Sequence, residues 1–266
     1  MRRYALLGSH VDESLSPALH ECAFSALNQK AIYELWPCQV EDFDVHIGRA
    51  RAQLDGFNLT APFKQAILPH LDSISARAKA LQSVNTVRVA AGQLHGENTD
   101  LEGLEVSLQQ LGLDGGSAMV LGAGGVIGAV MQALANAGVS SLSLCARQTP
   151  QALAWAQHCP INVEVVPWCE RQAQAGRHQL VVQATPLGAK GSDQAPLYFA
   201  PSDDHGVLDL VYRRQGTTPL IVAARAAGLR CLDGRTMLKE QAVATQRVWG
   251  FGIEGAQAMR HFFVDE

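Results

Sequence analysis

A glycine-rich turn in the middle of the chain holds the first residues whose types and spacing indicate a chemical task. Residues 122–128 read Gly-Ala-Gly-Gly-Val-Ile-Gly, after a short apolar run at 117–121 and before a helical pattern at 129–134. A strand, a glycine turn and a helix in this order let backbone N–H groups approach a pyrophosphate. Ile127 stands where the common pattern has a third glycine, so the turn taken alone leaves open a turn without a ligand. The candidate cofactor-binding residues of this turn are Gly122, Ala123, Gly124, Gly125 and Val126.

The residues after the next predicted strand bear on the type of dinucleotide. This strand, residues 142–145, ends in Ala-Arg-Gln-Thr and is followed by no carboxylate. NAD sites usually have an Asp or Glu there to bond the ribose 2′-hydroxyl. Arg147 could instead pair with a 2′-phosphate through charge-assisted hydrogen bonds, which favours NADP. The alternative is that Arg147 is a solvated surface residue.

Three polar segments of the first half follow predicted strands. Ser14 and Ser16 precede Pro17, where two hydroxyls and a helix N-terminus suit a carboxylate, although a capping role explains Ser16 alone. The segment 58–64, Asn-Leu-Thr-Ala-Pro-Phe-Lys, brings an amide, a hydroxyl and Lys64 to the end of a buried strand. The segment 96–100 ends in Asp100 and supplies a carboxylate. A surface lysine and an N-capping aspartate are the plain structural alternatives for the last two segments.

Composition limits the class of protein. The chain has 266 residues, 47% hydrophobic and 17% charged, with a formal net charge of −4, which is enough for two packed cores. An acidic balance without basic clusters argues against nucleic acid or a membrane surface as a partner. The six cysteines are scattered without a Cys-x-x-Cys pair, which is typical of free thiols in a reducing compartment. Because the cysteines form no zinc-binding pattern, we expect no metal. Because the N-terminus has no signal peptide pattern, we expect a cytoplasmic protein.

Strand and helix patterns alternate along the whole chain. This alternation predicts an α/β fold with a mostly parallel sheet in each half and helices on the faces. Residues 115–146 carry no charge, but their glycines and strand-like start favour a buried strand–helix unit over a membrane span. The predicted strands are 3–8, 31–36, 57–60, 86–89 paired with 93–95, 117–121, 142–145, 163–166, 180–183 and 207–210, and the predicted helices are 17–27, 40–54, 76–81, 101–111, 129–134 and a closing helix at 238–249.

Taken together, the polar segments resemble the shikimate dehydrogenase family, which includes the quinate/shikimate dehydrogenases. The resemblance extends over nearly the whole chain and keeps the order of nine motifs. These motifs are Ser-Leu-Ser-Pro at 14–17 with His20, then 58–64, Val-Asn-Thr at 84–86, Asn-Thr-Asp at 98–100, Gly-Ala-Gly-Gly at 122–125, 184–188, Asp-Leu-Val-Tyr at 209–212, Thr-Pro-Leu at 218–220, and 233–241.

The resemblance implies a reversible hydride transfer between NADP and the 3-position of a cyclohexene polyol acid, interconverting 3-dehydroshikimate and shikimate. It implies that Lys64 and Asp100 are the catalytic pair. A neighbouring carboxylate favours a charged lysine and burial favours a neutral one, so the sequence leaves the protonation state of Lys64 open. The implied substrate-binding residues are Ser14, Ser16 and Tyr212 for the ring carboxylate and Thr60, Asn85 and Gln241 for the ring hydroxyls. The implied cofactor-binding residues beyond the glycine turn and Arg147 are Thr185, Leu210 and Gly234, of which the last two line the nicotinamide pocket.

The same resemblance implies the domain arrangement. Because residues 233–241 resemble substrate-site motifs yet follow the cofactor unit, the chain must return to its first half. We therefore expect a substrate and catalytic domain at residues 1–99 completed by 235–266, a Rossmann-type NADP-binding domain at 100–234, and a cleft between them.

Several residues depart from the family pattern, among them His10, Glu13, Glu21 and Ile127. These departures leave alternatives open. One is a related dehydrogenase that prefers quinate or another ring acid and uses NAD. Another is a sensor that binds the dinucleotide or ring acid without catalysis. We expect a small-molecule substrate and a monomer or homodimer, and neither nucleic acid nor a membrane as partner.

Overall fold

The computed structural model describes residues 1–200 and 205–262. The chain divides into two compact units, Met1–Asp100 with Leu238–Glu266, and Leu101–Met237. The boundaries expected from the sequence, before residue 100 and before residue 235, lie close to this division. The functions assigned to the two units, and the cleft between them, stay predictions.

The first unit is a six-stranded sheet with helices. Its strands are β1 (Arg2–Gly8), β2 (Ala31–Pro37), β3 (Gly56–Leu59), β4 (Ser73–Ile74), β5 (Thr86–Ala90) and β6 (Gln93–Glu97). Its helices are α1 (Ser16–Ala26), α2 (Phe43–Gln53), α3 (Phe63–Ala66) and α4 (Ala76–Leu81). Two further helices, α10 (Gly234–Val248) and α11 (Ile253–His261), end the chain.

The strands of the first sheet follow the order β2-β1-β3-β5-β6-β4. β1 pairs in parallel with β2 and β3, and β4 with β6, whereas β5 is antiparallel to both of its neighbours. The hairpin between β5 and β6 closes through Ala91 and Gly92, whose φ angles of 51° and 75° suit a two-residue turn. The predicted mostly parallel sheet and its predicted hairpin are confirmed.

Helix α10 and the residue after it complete the core of this unit. The Trp249 ring, just after α10, stacks on Tyr4 with ring centroids 4.2 Å apart, and its Nε1–H donates to Val87 O at 3.0 Å. Gly56 lies under the indole, where a Cβ atom would collide with the Trp249 ring. Trp249, which follows α10, therefore packs on the sheet that the first part of the chain forms.

The second unit is a six-stranded, fully parallel sheet. It contains strands β7 (Gly116–Leu121), β8 (Val139–Ala146), β9 (Asn162–Pro167), β10 (Leu180–Gln183), β11 (Gly206–Asp209) and β12 (Cys231–Leu232). Its helices are α5 (Asp100–Gln110), α6 (Ile127–Asn136), α7 (Thr149–Ala156), α8 (Arg171–Ala175) and α9 (Pro219–Ala226). The order β12-β11-β10-β7-β8-β9 reverses at β7, as in the Rossmann fold.

The structure also differs from the sequence prediction at several elements. The helix at residues 238–249 does not close the chain, since α11 follows it. Strands β4 and β12 have two residues each and helices α7, α8 and α9 are short, and none of these was predicted. Among the described residues, every helix is too short or too polar to cross a membrane.

Candidate active site

The topology of the first sheet brings Lys64, Asn85 and Asp100 to one edge. Because β5 lies antiparallel between β3 and β6, the two outer strands run in the same direction. Lys64 follows the end of β3 and Asp100 follows the end of β6, while Asn85 precedes the start of β5. The Val84 N–H donates to Lys64 O at 2.9 Å, which fastens α3 to the segment ahead of β5.

Lys64 and Asp100 form a largely buried ion pair. Lys64 Nζ donates to Asp100 Oδ2 at 2.7 Å, and the two side chains are 15% and 6% exposed. The other oxygen, Oδ1, accepts a hydrogen bond from Asn85 Nδ2 at 2.8 Å. Both carboxylate oxygens are thus held, while the ammonium has further N–H donors to direct at a ligand.

Asn85 contacts the ion pair directly, and Gln241, which is distant in sequence, lies beside Asn85. The backbone N–H of Thr99 donates to Asn85 Oδ1 at 2.7 Å, which fixes the orientation of the Asn85 amide. Gln241, on α10, has its Oε1 atom 3.4 Å from Asn85 Nδ2 and from Thr99 Oγ1. The structure therefore brings together Lys64, Asn85, Asp100 and Gln241 from three parts of the sequence.

Ser14 and Ser16 lie in the loop after β1 and at the start of α1. Ser14 Oγ donates to Ser16 Oγ at 3.1 Å and accepts the Ser16 N–H at 3.2 Å. The expected N-capping role of Ser16 is wrong, because Leu15 O accepts the first helical bond from Leu19 N–H, which makes Leu15 the capping residue. Glu13 is exposed to solvent.

Thr60 follows β3 and is half-buried. Its N–H donates to Leu7 O at 2.9 Å, which ties it to the end of β1. Gly8 leaves room for the Thr60 methyl group, since a Cβ at Gly8 would collide with Thr60 Cγ2. Thr60 therefore lies at the same carboxyl edge of the sheet as the ion pair.

In the second unit, the glycine turn joins β7 to α6 and fits a dinucleotide phosphate. Gly122 has φ +105°, and a Cβ there would lie 2.9 Å from Ala184 O, so any other residue would be strained at this position. Gly124 and Gly125 are exposed, and a Cβ on either would meet nothing within 4 Å. Val126, the capping residue of α6, has an apolar side chain that makes no hydrogen bond to the first turn. Since the side of the turn at Gly124 and Gly125 is open and Val126 offers the first turn of α6 no side-chain hydrogen bond, a phosphate could approach the backbone N–H groups.

Arg147 directly follows β8, the neighbour of β7 in the sheet. It is exposed and makes no hydrogen bond or ion pair within the described part of the chain. Ile127, which replaces the usual third glycine, has a fully buried side chain. An exposed guanidinium beyond the second strand suits the 2′-phosphate of NADP.

Thr185 and Leu210 lie in the loops that follow β10 and β11, and Gly234 is the first residue of α10, after β12. Gln183 Oε1 accepts from the Thr185 N–H and Oγ1, each at 3.0 Å, and thereby shapes the turn after β10. A Cβ on Gly234 would collide with Leu210 O, and the Gly234 N–H donates to Val211 O at 3.1 Å. These backbone contacts hold the loop after β11 against the start of α10.

Asp209, at the end of β11, anchors the loop that contains Leu210 and Tyr212. Its Oδ1 atom accepts from Val211 N–H at 3.0 Å and its Oδ2 atom from Thr218 Oγ1 at 2.6 Å. Burial raises the pKa of this carboxyl to about 7, and the two hydrogen bonds only partly oppose the rise. Tyr212 is half-buried and belongs to the second unit, unlike Ser14 and Ser16, so its role at the substrate carboxylate stays a prediction.

A polar network beneath the ion pair was missed at the sequence level. Asn58 Nδ2 donates to Asn85 O at 3.1 Å, and Asn58 Oδ1 accepts from Tyr33 OH at 2.9 Å. The Tyr33 ring stacks on His20 with centroids 4.4 Å apart. Burial lowers the pKa of His20 to about 3, so the imidazole stays neutral and supports Tyr33 without charge. The network also includes Thr86, Thr99 and Thr245, whose hydroxyls adjoin Asn58 and Asn85. The only sequence signal for it is polar residues within otherwise buried patterns.

The parallel sheet with its open glycine turn, together with the buried Lys–Asp pair, defines a two-unit α/β enzyme of the Rossmann dinucleotide-binding class. Residues 6–87 match the family described as the shikimate dehydrogenase substrate binding domain. The chain is 35% identical over 262 residues to the shikimate dehydrogenase (NADP(+)) of Oleidesulfovibrio alaskensis. The matched region covers 96% of this chain and 92% of that protein. The chain belongs to the shikimate dehydrogenase family.

Two solved structures resemble the whole chain. Shikimate 5-dehydrogenase from Thermus thermophilus, in complex with NADP(H) and shikimate, has a TM-score of 0.84 and 34% identity, with 98% of this chain and 99% of that chain covered. Quinate dehydrogenase from Corynebacterium glutamicum, in complex with NAD, has a TM-score of 0.85 and 32% identity, with 99% of each chain covered. The family therefore contains similar structures described with different ring acids and different dinucleotides.

Proposed function

We propose that this protein is an NADP-dependent shikimate dehydrogenase that interconverts 3-dehydroshikimate and shikimate, a step of aromatic amino acid biosynthesis. The observation that supports this most is the buried contact between Lys64 and Asp100, held in orientation by Asn85. We further propose that the first unit binds the ring acid and the second binds NADP. The protein acts in the cytoplasm as a monomer or homodimer.

The residues of the second unit suit NADP. The turn Gly122–Val126 would hold the pyrophosphate, Arg147 the 2′-phosphate, and Thr185, Leu210 and Gly234 the nicotinamide side. When bound, NADP would serve as the hydride acceptor for carbon 3 of the substrate, and NADPH as the hydride donor in the reverse direction. A pure binding protein would not need Lys64 and Asp100, so this pair favours catalysis over a sensor role.

Lys64 acts as the general acid and base at the reacting oxygen. In the direction of reduction, Lys64 Nζ donates a proton to the carbonyl oxygen as this oxygen becomes a hydroxyl, and in oxidation Nζ takes the proton back. Asp100 Oδ2 holds the ammonium in place, and because Asn85 occupies Oδ1 the carboxylate cannot swing away. Such positioning lowers the entropy cost of the reaction.

The remaining polar groups at this edge bind the ring. Ser14 and Ser16 offer two hydroxyls to the ring carboxylate, and Tyr212 joins them from the second unit. Thr60 and the Gln241 amide, with Asn85, bond the ring hydroxyls. Hydrogen bonds to a substrate hydroxyl discriminate strongly against analogues that lack it, because the buried partner would be left unpaired.

A second candidate is a dehydrogenase that prefers quinate and NAD. It is favoured by the similarity to the Corynebacterium glutamicum enzyme, which is at the same level as the similarity to the Thermus thermophilus enzyme. It is opposed by Arg147 and by the absence of a carboxylate after β8 within residues 146–149.

The deciding experiment is a set of initial rates with shikimate and quinate, each with NADP and with NAD. We expect the highest kcat/KM for shikimate with NADP. A higher kcat/KM for quinate with NAD would favour the second candidate. No turnover of any pair, with dinucleotide binding retained, would refute both and favour a sensor.

A further inference from the structure

Three threonine hydroxyls form a closed triangle beneath the ion pair; we call it the hydroxyl ring. The Oγ1 atoms of Thr86 and Thr99 are 3.0 Å apart, those of Thr86 and Thr245 3.0 Å, and those of Thr99 and Thr245 3.2 Å. The three residues are 0%, 1% and 0% exposed. They come from the start of β5, the segment after β6 and the last turn of α10, so the ring joins distant parts of the chain.

The donors and acceptors of the three threonine hydroxyls can all be paired within the hydroxyl ring and with its asparagine neighbours. Each hydroxyl has one proton to donate and two lone pairs to accept with, so in a triangle each can donate once and accept once. The second lone pair of Thr86 accepts from Asn58 Nδ2 at 2.9 Å, and that of Thr99 accepts from Asn85 Nδ2 at 3.0 Å. Thr245 closes the cycle, and Asn58 Nδ2 lies 3.3 Å from its oxygen.

The hydrogen bonds within the hydroxyl ring determine whether a threonine hydroxyl is free to donate to Asn85 Oδ1. Thr86 Oγ1 and Thr99 Oγ1 each lie 3.2 Å from Asn85 Oδ1, which already accepts the Thr99 N–H at 2.7 Å. While the ring is closed, both hydroxyl protons are used within it. Without the Thr245 hydroxyl one of these protons has no ring partner, and the other acceptors within reach in the described residues are Asn85 Oδ1 at 3.2 Å and Gln241 Oε1, which lies 3.4 Å from Thr99 Oγ1. A stronger bond to Asn85 Oδ1 would compete with the hydrogen bond that directs the amide at Asp100.

We propose that Thr245 is a positioning residue. By closing the hydroxyl ring it keeps the Asn85 amide directed at Asp100 Oδ1, and so keeps Oδ2 in place for Lys64. This inference rests on the proposed function for its effect on catalysis. Its effect on the Asn85 amide is independent of any activity.

The first test is kinetic. Thr245→Val keeps the shape of the side chain and removes the hydroxyl, and we expect kcat with shikimate and NADP to fall about fivefold, the effect of weakening one hydrogen bond. KM for both substrates should stay within about twofold, since Thr245 binds neither. Thr245→Ser, which keeps the hydroxyl, should restore kcat. The matched control is Ser83→Ala, which removes a buried hydroxyl of the same unit that has no hydrogen-bond partner in the described part of the chain.

A double mutant separates positioning from packing. In an Asn85→Ala background, Thr245→Val should cost no further kcat, because its effect passes through Asn85. An equal loss in both backgrounds would show that Thr245 acts by packing alone and would overturn the proposal. If Thr245→Val folds poorly, Thr245→Ala takes its place in the same cycle.

The second test needs no substrate. The Asn85 side-chain amide of the ¹⁵N-labelled protein, assigned by its loss in Asn85→Asp, should exchange with solvent faster in Thr245→Val than in the wild type. Unchanged exchange together with unchanged kcat would overturn the proposal. A wild type that turns over no ring acid would refute the proposed function only, and the amide exchange would then decide the role of the ring by itself.

Discussion

Replacing Lys64 by alanine removes the ammonium that donates a hydrogen bond to Asp100 Oδ2. The two side chains are largely buried, so water cannot take over the position of the ammonium without cost. We expect kcat to fall by ~10²–10⁴, the effect of losing a positioned acid–base group, which corresponds to about 2.7–5.5 kcal/mol of transition-state stabilisation. KM for shikimate should change less, because the hydroxyls of Ser14 and Ser16 remain.

The assay is the steady-state rate of NADPH formation with shikimate, followed by absorbance, for the wild type, Lys64→Ala, Asp100→Asn and the double mutant. Residues that act as one unit are not additive, so the double mutant should lose little more than either single mutant. Lys79→Ala is the control, since Lys79 is an exposed lysine of the same unit. Near-normal kcat in both single mutants with every ring acid would refute the catalytic assignment.

The remaining predictions concern the second unit. Arg147→Ala should weaken NADP binding by about 1.5–3 kcal/mol and leave NAD binding nearly unchanged in calorimetric titrations; equal losses would remove Arg147 from the 2′-phosphate site. Gly122→Ala should lower the free energy of unfolding by about 1–3 kcal/mol, because of its positive φ angle, whereas Gly125→Ala, in open space, should weaken NADP binding without changing stability; the reverse pattern would contradict the phosphate site. Burial raises the pKa of Asp209 to about 7, so between about pH 4 and 7 the folded protein holds the carboxyl proton that the unfolded chain has released. The protonated carboxyl therefore adds to the free energy of unfolding at low pH, and this contribution falls from about pH 4 and is lost as pH rises through 7. Asp209→Asn should therefore match the wild type in urea unfolding at about pH 3 and be more stable at pH 8, by up to about 4 kcal/mol; a constant difference at both pH values would show that Asp209 does not titrate in this range.

The elements that present Lys64 and Asp100 could be predicted from the sequence. The sequence predicts strands just before both polar segments, and the Ala91-Gly92 turn indicates the hairpin between β5 and β6. Strand pairing is then enough to bring both residues to one edge. The 2.7 Å contact between Lys64 and Asp100 could not be predicted, since it depends on how α3 and the start of α5 are held.

The partners of Asn85 could not be predicted for a different reason. A helical pattern shows that Thr245 is buried, but its contacts with Thr86 and Thr99 join residues 159 and 146 positions apart. Local patterns contain no information on such contacts. Helix α11 was missed because Gly250 and Gly252 interrupt the pattern before it and because it has charged residues such as Arg260, which pairs with Glu240 of α10.

The return of α10 to the first sheet has a consequence for protein synthesis. The strands that surround Asn85 leave the ribosome first, but Thr245 and Trp249 follow only after Leu101–Met237 have been made. At about 5–20 residues per second, this delay is on the order of ten seconds. During this time the nascent chain exposes Tyr4 and the carbonyl of Val87 without the indole that covers them. The second unit, although encoded later, can therefore finish folding on the ribosome before the first.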